Sequence, residues 1–266
     1  MGDTGNHRIQ EFTEVGVFVL AWGSEGAGDA QFLEPGGMAF DSTNRHFYVA
    51  DTGNHRVQKL TGGGSFVVKW GSEGSGDGQF NSPSAVLVDE VRKYVYVIDS
   101  GNHRVQKFTS LGIYLDQWGT EGSGDGQFQN PGGIARDEDG FVYVLDTGNH
   151  RVQKFTSAGL YQKQWGTQGE GEGQFQSPRG IAYDESDERI FVADTGNNRV
   201  QKFMPAGTFV KEWGTEGSGD GQFKGLTGLV VDESAYLFVA DTGNHRVQKF
   251  DLDGGFKAKW GSSGGG

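Results

Sequence analysis

The stretch Asp51-Thr52-Gly53-Asn54-His55-Arg56-Val57-Gln58 decides the reading of this chain, because it occurs six times. The other copies begin at Asp3, Asp99, Asp146, Asp194 and Asp241. They differ only by Ile9 for Val, Ser100 for Thr and Asn198 for His. Successive copies start 47 or 48 residues apart. A Trp-Gly pair keeps the same period at Trp22, Trp70, Trp118, Trp165, Trp213 and Trp260, which are all six tryptophans. A fixed period of this size is the mark of a repeat architecture.

Residues 35–71 show one complete unit. Met38-Ala39-Phe40-Asp41 is a short apolar run closed by the turn residues Ser42-Thr43-Asn44. Phe47-Tyr48-Val49-Ala50 is aromatic and β-branched, as strands are. Asp51 to Asn54 has the composition of a second turn. Arg56 to Leu60 alternates with period 2, Thr61 to Ser65 turns again, and Phe66 to Trp70 is a fourth apolar run. Four short strands, A to D, joined by tight turns form an antiparallel meander. A link, Gly71-Ser72-Glu73-Gly74-Ser75-Gly76-Asp77-Gly78-Gln79-Phe80, leads to the next unit, with copies from Gly23, Gly119, Gly166 and Gly214. Its one large apolar residue (Phe32, Phe80, Phe128, Phe175 or Phe223) is expected to plug between adjacent units. No sustained 3.6-residue period predicts a helix. A lone four-stranded sheet exposes two faces that it cannot bury. Packing such sheets face to face around an axis solves this, and the result is a β-propeller.

The residues also carry a family resemblance. Pro178-Arg179-Gly180-Ile181-Ala182, Tyr143-Val144-Leu145-Asp146, Thr147 to Phe155 and Gly122-Ser123-Gly124-Asp125-Gly126-Gln127-Phe128 together resemble the NHL repeat. Arg stands here where the repeat's name has Leu. The resemblance spans essentially the whole chain, residues 1–266 as a single domain, and implies a six-bladed, all-β propeller. Complete repeats fall at about 35–71, 83–119, 131–166, 178–214 and 226–261, with a half repeat at 3–23. That half repeat offers strands C and D only. Two readings follow: six sectors with one incomplete blade, or five closed blades plus a surplus hairpin. The first is preferred, because the angle between blades is encoded in each repeat. An unfilled blade is a sticky edge, so self-association is expected.

Composition narrows the function. The formal charge is −12, which disfavours broad attachment to nucleic acid or to an anionic membrane. There is no Cys, so disulfides and thiolate chemistry are excluded. No apolar run approaches the ~20 residues of a membrane helix. The chain opens in mid-repeat without a signal-peptide pattern, as an excised segment would, and its compartment is unknown.

Several residues invite a chemical reading. Asp51, Asp99, Asp146, Asp194 and Asp241 end strand B, and Arg56, Arg104, Arg151, Arg199 and Arg246 begin strand C, so each turn brings an ion pair together. The structural reading is an Asp that caps its turn and an Arg that braces it. The functional one is a ring of guanidinium heads for phosphates or acidic peptides. His7, His55, His103, His150 and His245 lie on the same turns, but on blades about 10 Å apart. Zinc needs all its ligands within about 2 Å, so packing or hydrogen bonding is expected, with no metal and no other cofactor. Glu73 with Asp77 and its copies are too sparse for a calcium cage. Departures from the repeat carry more information: Asn198 for His, and Arg136, Arg179 and Lys224 at or near strand A. Arg136 and Arg179 are read as facing the central channel with Lys224 near its mouth, a cluster for a small anion or a peptide terminus.

Near-identical repeats work against the asymmetric constellation an enzyme needs. The expectation is a non-catalytic recognition or scaffold module that binds a protein or peptide on its loop-rich face. Three alternatives stand beside it. The resemblance implies that some relatives bind single-stranded RNA and that others are metal-dependent lyases. The near-identity of the units also fits an engineered or recently amplified repeat without an evolved ligand.

Overall fold

The computed structural model describes residues 1–264. Gly265 and Gly266, the last two residues of the expected 1–266 domain, lie outside the described residues. Six antiparallel sheets follow one another along the chain, five of four strands and the first of three. The first sheet holds Gly2–Asp3, Arg8–Phe12 and Phe18–Trp22. The second holds Pro35–Asp41, His46–Asp51, Arg56–Thr61 and Phe66–Trp70; the third, Pro83–Asp89, Tyr94–Asp99, Arg104–Thr109 and Tyr114–Trp118. The fourth holds Gly133–Arg136, Val142–Asp146, Arg151–Phe155 and Tyr161–Trp165. The fifth holds Gly180–Asp184, Arg189–Asp194, Arg199–Phe203 and Phe209–Trp213; the sixth, Gly228–Val231, Tyr236–Asp241, Arg246–Asp251 and Phe256–Trp260.

Contacts gather into two compact units, Met1–Pro131 and Gly132–Gly266. Within Met1–Pro131, strand A of the second sheet lies beside strand A of the third. Within Gly132–Gly266, the A strands of the fourth, fifth and sixth sheets neighbour one another in the same way. Sheets that meet through their first strands are the blades of a propeller. The N-terminal hairpin packs on the second sheet as a blade of its own, so the surplus-hairpin alternative does not hold. It also gains a two-residue piece of strand B, Gly2–Asp3, paired with Arg8 and Ile9, which the C–D reading lacked.

The core lies between sheets. In Met1–Pro131 the buried Phe80 of a link meets Phe108, with ring centroids 5.6 Å apart, and Trp70 of the second sheet reaches the same ring at 5.9 Å. In Gly132–Gly266, Phe175 and Phe203 repeat the contact at 5.6 Å. All five link phenylalanines are fully buried. Gly71 turns the chain out of strand D with φ +100, and a Cβ there would sit 2.5 Å from the Phe80 ring. Only glycine fits such a backbone so close to an aromatic.

One local feature differs from the expected turn. After each strand B the chain makes a single 3-10 turn, Thr52–Asn54 in the second sheet, and the next residue is left-handed. His55 has φ 52 and Asn198 has φ 52. Asn and His are among the non-glycine residues that enter this region most readily.

Candidate functional site

The repeated motif occupies the end of each blade where the B–C turn meets the incoming link. Its polar groups face two ways. Backward, toward the link that leads into its own sheet, Asp51 Oδ1 accepts the Leu33 N–H at 2.8 Å. Asn54 donates to the Gly26 carbonyl at 2.9 Å. Arg56 binds Asp51 Oδ2 through Nε at 2.7 Å and spends its other nitrogens on the carbonyls of Ala27, Gly28 and Gln31. Forward, Thr52 donates to the Pro83 carbonyl at 2.7 Å, and His55 Nδ1 accepts the Ser82 N–H at 3.1 Å. The turn of the second sheet therefore ties three successive pieces of chain: its own sheet, the link before it and the start of the sheet after it.

The same clasp recurs at Asp99–Arg104, Asp146–Arg151, Asp194–Arg199 and Asp241–Arg246, with Nε–Oδ2 distances of 2.7 or 2.8 Å. Every one of these aspartates is fully buried. The arginine side chains are nearly so, from 7 to 9% exposed. This changes the expectation of an exposed ring of guanidinium heads. A desolvated Arg whose donors already hold carbonyls has none to offer an incoming phosphate. The aspartates also act differently from the turn caps expected of them: they make no cap bond within their 3-10 turns, and Asp51, Asp99, Asp194 and Asp241 accept a link N–H instead.

His7, His55, His103 and His150 bond between sheets and not within the turn. His7 accepts from Glu34 N–H at 3.0 Å, His103 from Asn130 at 3.1 Å and His150 from Ser177 at 2.9 Å. In the fifth sheet Asn198 Oδ1 does the same work for Gly225 at 2.8 Å. Among the described residues no group of three or more His, Cys, Asp or Glu gathers as metal ligands.

Gln58 was missed as a participant, although it recurs in all six copies. It is buried, donates to the Gln31 carbonyl at 2.6 Å and to Asp51 at 3.0 Å, and accepts the Ala30 N–H at 3.0 Å. The signal was present: a polar residue fixed in an otherwise packed strand C needs a partner to be tolerated.

Arg136, Arg179 and Lys224 do not gather. Arg136 is the last residue of its strand A, and Nη1 binds the Asp137 carbonyl. Arg179 precedes its own strand A, and Lys224 lies further back, where its N–H meets Asp241. In register Arg136 matches Tyr183, four residues beyond the row of Arg179. At about 3.3 Å per residue that places the two at opposite ends of a strand. Arg179 and Lys224 are both exposed.

Other departures do converge. In Gly132–Gly266 an open depression of about 420 Å³ is lined by Glu170, Asn198, Arg199, Glu212 and Glu216, among others. Corresponding positions in the third sheet and its link carry Ser75 for Glu170, His103 for Asn198 and Gln117 for Glu212. Arg199 Nη1 binds Glu212 at 2.7 Å. Three residues that break the repeat thus share one hollow, and two of them add carboxylates.

The sheets and clasps together define a propeller of repeated blades. A family model described as NHL repeat matches residues 32–60, 128–155, 175–203 and 223–250. The chain belongs to the NHL-repeat β-propeller family. No curated protein matches it. Among solved structures it is similar to a nidogen/laminin complex at TM-score 0.69 and 18% identity, covering 86% of this chain and 80% of that one. A streptogramin B lyase aligns at TM-score 0.64 and 12% identity, over 86% and 69% of the two chains. A catalytically inactive virginiamycin B lyase from Staphylococcus aureus, with quinupristin, aligns at TM-score 0.67 and 10% identity, over 96% and 77%. At these identities the likeness is one of fold.

Proposed function

We propose that this chain is a non-catalytic recognition module that binds a protein partner across the face carrying the B–C turns and links. The observation behind this reading is the convergence of Glu170, Asn198 and Glu212 on one hollow. The scaffold's other motif groups are spent on holding blades together, and Asn198 and Glu212 also hold Gly225 and Arg199, so selectivity resides chiefly in Glu170, with Glu212 shared between Arg199 and a partner's cation. An acidic hollow on a rigid blade suits a Lys or Arg side chain presented by a partner loop or peptide.

Selection of displayed peptides against the chain tests this. Enriched peptides carry a basic residue, and the double variant Glu170→Ser, Glu212→Gln, which restores the residues of the third blade, weakens them by at least about tenfold. Peptides bound equally well by the variant would contradict the assignment. Salt-sensitive binding of single-stranded RNA would favour the nucleic-acid alternative. The lyase reading draws on two structural neighbours that are lyases, and turnover of a streptogramin B by this chain would overturn the non-catalytic one.

A further inference from the structure

We propose that the outer strand of the first blade, Phe18–Trp22, is a homodimer interface, pairing edge to edge and antiparallel with the same strand of a second copy. Six sister strands occupy this outer position, which gives the chain an internal control. Each pairs on its inner side with strand C, with the same register shift at its second residue, and is the last strand of its sheet. Backbone geometry therefore does not single one out. Side chains do.

Val17-Phe18-Val19-Leu20-Ala21-Trp22 contains no charged residue. The five others carry Lys69, Asp116, Lys163, Lys211 with Glu212, and Lys257 with Lys259. The residue before the Trp is the most telling. It is Lys69, Gln117, Gln164, Glu212 and Lys259 in the five blades, and each is anchored. Lys69 holds Asp29 at 2.8 Å, Lys259 holds Asp220 at 2.6 Å, and Gln117, Gln164 and Glu212 hold the arginine of their own blade. In the first blade that position is Ala21.

Charged side chains on an edge strand are what prevent edge pairing. A short, uncharged, β-branched and aromatic segment without Pro is what promotes it. The surface agrees at one position: Phe18 is 55% exposed, whereas the aromatic at its place in the other five blades is partly buried, and the exposure of Val17 and Val19 is matched in sister strands. The sheet behind this edge is also the three-stranded one, which pairing at the outer edge would widen to four or more strands.

A second copy is the occupant that fits. Antiparallel pairing of one strand with itself is self-complementary about a twofold axis. The edge carries no charge pattern that would select a different partner. The body of each copy is strongly acidic, at −12, and Glu14 and Glu25 flank the strand. Repulsion between copies therefore opposes association at low ionic strength and is screened near 0.15 M salt, where the Debye length is about 8 Å.

Sedimentation of the full chain from low to high micromolar concentration tests this. The expected mass is twice that of the chain at the higher concentrations, with more dimer as salt is raised. Ala21→Lys, which copies Lys69, returns the chain to monomer with an unchanged circular dichroism spectrum and melting temperature. Val67→Lys, the same kind of change on the second blade, leaves the dimer intact. Because the chain has no cysteine, a second measurement is available should a lysine variant fail to fold. Val19→Cys yields a disulfide-linked dimer on mild oxidation, and Val67→Cys does not. A wild type that stays monomeric at every concentration and salt, a dimer that survives Ala21→Lys, or equal cross-linking through Val67→Cys would each overturn the proposal.

Discussion

At the scale of single residues, the fold rests on a buried ion pair used as a clamp. Asp99 is fully buried and accepts from Arg104, Gln106, Asn102 and the Asn81 N–H. Removing one partner of a buried pair leaves the other charge without compensation, at a cost of about 3–5 kcal/mol. Asp99→Ala is therefore expected to lower unfolding stability by that amount in urea melts. Arg104→Lys also loses stability, because an ammonium cannot match the planar fork that reaches Asp99 and the carbonyls of Ser75, Gly76 and Gln79. The histidines make a sharper case. His55 needs only an acceptor at Nδ1 and a tolerance for φ near 52. Asn198 already satisfies both in the fifth blade. His55→Asn should melt within a degree or two of the wild type, whereas His55→Leu, with no acceptor and a backbone it adopts poorly, loses about 1–3 kcal/mol. Glu90 supplies a pH dependence. Burial raises its pKa, but hydrogen bonds from the backbone and hydroxyls of Ser42 and Thr43 outweigh this and hold it below the ordinary 4.5. A folded-state value below the unfolded one stabilises the protein above pH 4.5, and that stabilisation fades as pH falls through the carboxylate range. Glu90→Gln flattens this part of the stability profile measured by denaturation between neutral and acidic pH.

At the scale of elements, the link behaves as structure although it reads as a flexible glycine-rich loop. Its Phe is sealed between sheets and its carbonyls fill the arginine fork. Phe80→Ala is expected to cost about 3–5 kcal/mol, as large aromatic truncations in cores do. The C–D hairpin is equally constrained. Gly112 has φ +82, and a Cβ there would lie 2.5 Å from the Trp70 ring of the preceding blade. Gly112→Ala meets both a strained backbone and an aromatic wall, so its denaturation midpoint falls well beyond the usual effect of a surface alanine. The period, four strands per complete unit and the plugging Phe were all legible in the sequence, because apolar alternation and turn residues are local signals. The two-residue piece of strand B in the first blade was not, since two residues carry no period. The 3-10 turn also escaped, because Asp-Thr-Gly-Asn suits several turn geometries equally.

At the scale of the whole molecule, repetition explains both what could be read and what could not. Six near-identical motifs made the fold class plain. They also hid the direction in which their side chains point. Asp51 and Arg56 were recognised as neighbours, but the carbonyls that bury Arg56 lie about 25–29 residues earlier in the chain, beyond any local pattern. The converging departures Glu170 and Glu212 were overlooked for the same reason, since their proximity exists only after folding. The account stands on one physical claim: the links are clamped by the motif and are not loose tethers between blades. Amide hydrogen exchange tests it most directly, at the Asn81 N–H, which belongs to a link and is donated to Asp99 Oδ1 at 2.7 Å. The account predicts that this amide exchanges as slowly as Val97 in the adjacent strand, and that Asp99→Asn accelerates it far more than it accelerates Val97. Exchange of Asn81 in the wild type at the rate of the exposed hairpin residue Gly63, with the strands still protected, would contradict it.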